Sequence, residues 1–171
     1  LKNHGRLKKG TFTHEAIGYN FCFTEMQAAV GISQMHKLDR IINRKRDIYE
    51  KYHTGLQSAG SLLKEVHVDP NCSPVWWFTS FTTDKKSELK EFLLSRGIQS
   101  RDFFHPLDTQ PCYEGRFEDS SLSVSKEIYE KGISLPSSYN MTEEEQDYII
   151  SSILEFYDIA KSMFPEQQNE C

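Results

Sequence analysis

Nothing in the chain has the length and apolarity that a bilayer demands. Its longest apolar runs are a few residues, against the roughly twenty that a spanning helix needs, and no charged-then-apolar signal segment opens it. It therefore reads as a soluble, cytoplasmic protein with no membrane partner. Charge of one sign is not concentrated either: 20 Lys and Arg stand against 25 Asp and Glu, a formal net charge of −5. That balance offers no field for nucleic acid, and the short basic stretch Arg40–Arg46, RIINRKR, reads as the solvated face of a helix. Cysteine is sparse and scattered (Cys22, Cys72, Cys112, Cys171), with no C-x-x-C pair, which indicates neither a disulfide framework nor a zinc site. The histidines His4, His14, His36, His53, His67 and His105 lack metal-ligand spacing, so no metal is expected. G-x-S-x-G, Walker and G-x-G-x-x-G motifs are absent as well, and no self-contained catalytic constellation can be assigned.

What remains is an ordinary globular composition. At 171 residues with 37% hydrophobic side chains, there is material for a packed core in one domain or in a piece of a larger one. Thr24 with Gln27 forms a capping-box signature, and apolar residues from Ala28 to Ile48 recur near helical period. One long helix is predicted, bent near Leu38–Ile42 and ending before Gly55 or Gly60. The segment Ser73–Thr83 has the aromatic and Thr/Val content of a half-buried strand, which would send Trp76 and Trp77 to opposite faces. Residues 84–97 follow as a helix with Asp84 as N-cap and Gly97 at its C-terminus, then Ile98–Phe104 as a strand. A loop over 105–122, a short helix, the short strand ISLP and a final helix opened by a Thr142–Glu145 capping box complete the order. The core stripe of that last helix is Tyr148, Ile149, Ile153, Phe156, Tyr157 and Ala160. Helices packed on one face of a small, mostly antiparallel sheet, an α+β arrangement, fit this order.

Two places could carry chemistry. Gly18-Tyr19-Asn20 precedes a clean helix start, where exposed amides favour an oxyanion and the Asn20 amide could add a donor; a plain turn with a satisfied asparagine fits the same residues. His105 lies in RDFFHPLDTQPCY, where a histidine can titrate near neutrality and Arg101 can hold a carboxylate or phosphate; a surface loop braced by Pro106 and Pro111 is the alternative.

The stretches KNHGR, IGYNFCFTEMQAAVGISQMHKLDRIINRKR, RDFFHPLDTQPCY and ISLPSSYNMTEEEQDYII, taken together and in this order, resemble landmarks of the DegT/DnrJ/EryC1/StrS family of pyridoxal-phosphate-dependent nucleotide-sugar aminotransferases. The resemblance implies the C-terminal part of a fold-type-I transferase. Residues 1–60 would be the end of the large domain with its long linking helix, 61–165 the small C-terminal domain, and 166–171 a tail. It implies pyridoxal 5'-phosphate as the cofactor of the full-length enzyme, nucleotide-sugar and amino-acid substrates (the amino acid being glutamate in the usual case), and a homodimer with a site shared between subunits. By the family's pattern Asn20 binds the cofactor phosphate of the neighbouring subunit, while His105, Arg101 and Tyr19 are substrate-side residues. Cys22 departs from the larger or basic residue often found there. The family's Schiff-base lysine lies before the segment resembling KNHGR, and Lys8 and Lys9 come after it, so no catalytic residue is assigned here. The chain by itself is expected neither to hold the cofactor nor to transaminate. A non-catalytic α+β interaction module derived from the same family is the alternative.

Overall fold

The computed structural model describes residues 17–113 and 123–163, with side chains as far as Asp158. KNHGR, Lys8, Lys9, the end of the 105–122 loop, Ala160 as a core residue and the tail lie outside the described residues. The chain divides into two compact units, Leu1–Arg40 and Ile41–Cys171.

In the first unit, the capping box at Thr24 is formed. The Thr24 hydroxyl accepts from the Gln27 amide at 3.2 Å and the Gln27 side-chain oxygen accepts from the Thr24 amide at 2.9 Å, which satisfies two otherwise orphaned donors. Helix α1 runs over Glu25–Met35 with no buried side chain. The predicted long helix is in fact interrupted at His36–Lys37, just before the expected bend, where the Lys37 amide turns to the Gln34 carbonyl. The helix resumes as α2, Leu38–Gly55.

The second unit is built on a four-stranded antiparallel sheet with the order β1-β2-β4-β3, from β1 (Lys64–Glu65), β2 (Thr79–Thr82), β3 (Arg101–Asp102) and β4 (Gly132–Leu135). Register assigns the faces. Phe81 lies opposite Ile133 and Thr79 opposite Leu135, and Asp102 joins Ile133 on that side; Ser80 lies opposite Ser134, and Arg101 joins Ser134 on the other. The Phe81–Ile133–Leu135 side forms the core with Ile48 and Tyr52 of α2, Leu89 and Leu93 of α3 (Lys86–Ser95), and Ile149, Ile153 and Tyr157 of α5 (Glu143–Met163). Helix α4, Ser123–Lys131, feeds directly into β4. Helices on one face of a small antiparallel sheet are thus what forms.

Local chemistry accounts for most boundaries. Helix α3 stops in a Schellman motif: Gly97, at φ 75°, donates to the Leu94 carbonyl, and the Ile98 amide returns to the Leu93 carbonyl at 2.9 Å. The positive φ suits glycine, and Ile98 and Leu93 are both buried, as the motif's apolar contact requires. Its start differs from the prediction. Asp84 does not cap it; Asp84 pairs with Lys131 at 3.0 Å, and the Thr83 hydroxyl accepts from the Lys85 amide instead. The α5 capping box is present, with Thr142 and Glu145 exchanging bonds of 2.8 and 3.2 Å. In its stripe, Tyr148 is half exposed, whereas Gln146 and Ser152 are buried, since each has a carbonyl to bond: Ile48 for Gln146 and Tyr148 for Ser152. The Ser73–Thr83 strand shrinks to Thr79–Thr82 and Ile98–Phe104 to Arg101–Asp102. Trp76, at φ 54°, turns the chain ahead of β2, so strand alternation does not govern the two tryptophans.

Candidate functional site

The alternation of β3 separates two charged neighbours. Asp102 points to the helical face, where Lys90 bonds it at 2.7 Å and Lys86 at 3.1 Å. The Lys90 ammonium, and Lys86 after it, hold its carboxyl below the usual range. Arg101 points to the opposite, polar face, exposed and with no carboxylate partner among the described residues; its guanidinium stands 5.7 Å from the Phe78 ring. The adjacent acid is already paired with two lysines on the other face, so it does not engage the arginine's donors.

Arg101 lines a cavity of about 410 Å³ shared with Lys45, Trp77, Phe78, Gln99 and Ser138. The Lys45 ammonium donates to the Trp77 carbonyl at 3.2 Å and to the Ser137 carbonyl, with burial lowering its pKa. These are neutral partners, so a second positive charge faces the same space, and among the described residues no acidic one lines it. Trp77 is 65% exposed, with its ring 4.4 Å from that of Phe78. Two uncompensated cations beside an exposed indole suit a ligand that is anionic at one end and flat and aromatic at the other. The stretch RIINRKR is accordingly more than a solvated face: Arg44 donates to the Met141 carbonyl at 2.6 Å, and both Arg44 and Lys45 are half-buried by the chain that leaves β4.

His105 is placed differently. Its Nδ1 lies 2.7 Å from the Thr109 hydroxyl and 3.4 Å from the Pro106 carbonyl, and the ring packs 4.6 Å from that of Tyr129 on α4. Thr109 has one hydroxyl proton, which goes to the Pro106 carbonyl at 2.8 Å. With that proton donated to the carbonyl, the hydrogen-bond pattern assigns a donor proton to Nδ1 and leaves Nε2 turned away from these partners. The loop is fastened by Asp108, whose side chain is only 9% exposed and accepts from Lys126 of α4 at 2.9 Å. Arg101 and His105 are neighbours in sequence, but the cavity gathers Arg101 alone of the two.

Asn20 and Tyr19 belong to the first unit. The Asn20 Oδ1 accepts from the Cys22 amide at 3.4 Å, a local turn that leaves Nδ2 without a partner among the described residues. Tyr19 and Phe21 stack at 5.4 Å, both exposed. Gly18 is not in the left-handed region, so its conformation does not by itself demand glycine.

Lys45, Trp77, Phe78 and Gln99 are the lining residues that sequence reasoning missed. Trp77 had a partial signal as one of a rare pair, while Lys45 was hidden among ordinary helical cations. Among the described residues, no helix is long and apolar enough to cross a membrane, and no cluster of His, Cys, Asp and Glu could hold a metal ion.

GDP-perosamine synthase from Vibrio cholerae is 32% identical over 163 residues, covering 92% of this chain and 44% of that protein. UDP-4-amino-4,6-dideoxy-N-acetyl-beta-L-altrosamine transaminase from Helicobacter pylori is 30% identical over 172 residues, 94% of this chain and 44% of the relative. The crystal structure of DesV from S. venezuelae superposes with a TM-score of 0.77 at 26% identity, over 92% of this chain and 42% of that one. The chain thus spans less than half the length of the curated relatives it matches. Residues 1–154 match the DegT/DnrJ/EryC1/StrS aminotransferase family as a whole. The chain belongs to that family, whose enzymes work with pyridoxal phosphate.

Proposed function

We propose that this chain forms the substrate side of a sugar aminotransferase, and that the cavity bounded by Lys45, Arg101 and Trp77 receives the nucleotide end of a nucleotide-linked keto-sugar. The observation that carries this is the pairing of two cations that have no carboxylate partner among the described residues with an exposed indole in a cavity of about 410 Å³. Arg101 offers a planar fork to phosphate oxygens, Lys45 a point charge beside it, and Trp77 a face for a base. His105, held by Nδ1, presents Nε2 to a sugar hydroxyl. The names of the relatives in Vibrio cholerae and Helicobacter pylori carry GDP and UDP, which makes those nucleotides the first to try.

Asn20 fits the phosphate of the cofactor. Its oxygen is turned back onto its own chain at Cys22, so what it offers outward is an N–H donor, suited to an oxyanion and not to a cation. When bound, pyridoxal phosphate supplies the electron sink for moving an amino group from an amino acid to the keto-sugar. In that assembly Asn20 anchors and does not move protons, at about 1.5 kcal/mol for a hydrogen bond to a charged group. A second copy of the chain is the proposed partner, and sedimentation that stays monomeric at all concentrations would contradict it.

Titration of the chain with GDP and with UDP, followed by tryptophan fluorescence, tests the nucleotide reading. Saturable quenching by at least one is expected. Arg101→Met should weaken binding by roughly tenfold to a hundredfold, the loss of a charged hydrogen-bond partner, with the melting temperature unchanged because Arg101 is exposed. Absence of saturable binding by either nucleotide, or an Arg101→Met chain that binds as the parent does, overturns it.

A further inference from the structure

Trp76 is the only described residue other than glycine with a positive φ, 54°. A bulky side chain does not choose that region locally, and glycine would enter it without cost. The strain is held by contacts that a glycine could not make. The Trp76 ring lies flat on Tyr49 of α2, with centroids 3.5 Å apart and planes within 6°. The Tyr49 hydroxyl donates to Glu65 Oε2 at 3.2 Å, and Glu65 Oε1 meets His53 Nδ1 at 2.5 Å, so the stack is tied to β1 as well as to α2. One turn earlier on the same helix, Lys45 grips the carbonyl of the very next residue, Trp77. Helix α2 therefore holds residue 76 by its ring and residue 77 by its backbone, and the indole of Trp77 is left outward on the cavity wall.

We propose that Trp76, locked against Tyr49 in a left-handed backbone conformation, is a positioning residue that sets Trp77 as the platform on which the base of the bound nucleotide stacks. This rests on the nucleotide reading of the cavity. Strain that surrounding structure sustains is found where a neighbouring group must be aimed, and here the aimed group is the adjacent aromatic of the cavity.

The chain has two tryptophans, so Trp76→Phe leaves Trp77 as the only indole and keeps an aromatic ring on Tyr49. In that background, Tyr49→Ala removes the stack. In the ligand-free chain, the fluorescence anisotropy of Trp77 should fall and its quenching by acrylamide rise when Tyr49 is truncated, while Tyr49→Phe leaves both unchanged. Affinity for the nucleotide that binds, GDP or UDP, should stay close to the parent's in Trp76→Phe and drop about tenfold in Trp76→Phe/Tyr49→Ala and in Trp76→Gly, the scale of one lost base-stacking contact. Trp76→Gly should do so without loss of thermal stability beyond that of Trp76→Ala, since glycine relieves the backbone. If anisotropy and affinity survive removal of the stack, Trp76 only packs and the proposal is overturned. If the parent chain binds neither nucleotide, the nucleotide reading and the platform fall together. A change in anisotropy would then still establish the aiming of Trp77 by the stack.

Discussion

Gly132→Ala should lower the stability of the chain by about 3 kcal/mol, near the upper end of what one inserted methyl costs in a packed site, which for a chain of this size means a melting midpoint lower by roughly 6–12 °C. The reason is space and not backbone freedom. A Cβ on Gly132 would sit 2.0 Å from Cδ2 of Phe103 and 2.4 Å from the Ile128 carbonyl oxygen. The phenyl ring could swing aside, but the carbonyl belongs to α4, and moving it shifts the junction that delivers the chain into β4. That strand pairs with both β2 and β3 and is buried along its whole length, so no relaxation stays local. Gly31 supplies the contrast. It lies inside α1, where an added methyl would meet nothing within 4 Å, and Gly31→Ala should gain about 0.5–1 kcal/mol from helix propensity. Thermal unfolding followed by circular dichroism reads both. A Gly132→Ala chain melting within a degree or two of the parent would mean that α4 and β4 are not rigidly joined.

Legibility in the sequence followed the range of the interaction. The capping boxes at Thr24 and Thr142 and the glycine stop at Gly97 were read correctly because each is settled within a few residues. Helices on one face of an antiparallel sheet were read from the order of elements alone. What failed depended on distant partners. Gln146 is buried because its amide meets a carbonyl on α2, 98 positions away in sequence, and no periodicity reports such a bond. Asp84 has the residue type of a cap and is drawn instead to Lys131. The strand over Ser73–Thr83 was shortened by Trp76, whose backbone is sustained by a ring from another helix and contradicts its local preference. The cavity divides the same way. Arg101 stood out in the sequence as a lone arginine in an aromatic loop, but Lys45 joins it on the cavity wall only when the chain leaving β4 supplies the Ser137 carbonyl beneath it.

Above pH 10 the chain should lose stability steeply, and Tyr157→Phe should remove a large part of that loss. The Tyr157 hydroxyl is buried and donates to the Thr83 hydroxyl at 2.9 Å; burial outweighs that bond and pushes its pKa up to about 12. Tyr52, donating to the Pro136 carbonyl at 2.9 Å, is pushed up by burial too. Below the ordinary tyrosine value of about 10, both hydroxyls keep their protons whether the chain is folded or not, and pH has no hold on stability through them. As pH rises past it, the unfolded chain releases protons that the folded chain retains. The unfolded state then binds fewer protons, and stability falls with pH until the folded pKa is reached. For Tyr157 the window is pH 10 to about 12, and the full loss across it is about 3 kcal/mol. Tyr52 adds to it in the same direction. Lys51, raised by hydrogen bonds to Asp147 and then Glu143, and Lys131, raised by Asp84 and then Glu127, also titrate at high pH, but they do so equally in parent and variant. The difference between the two chains therefore isolates the phenol. Urea midpoints at pH 8, 10 and 11 are the measurement. At pH 8 Tyr157→Phe should be the weaker chain by about 1 kcal/mol, the cost of its lost hydrogen bond, and by pH 11 the gap should close or reverse. Parallel curves would place the Tyr157 hydroxyl in contact with water in the folded chain.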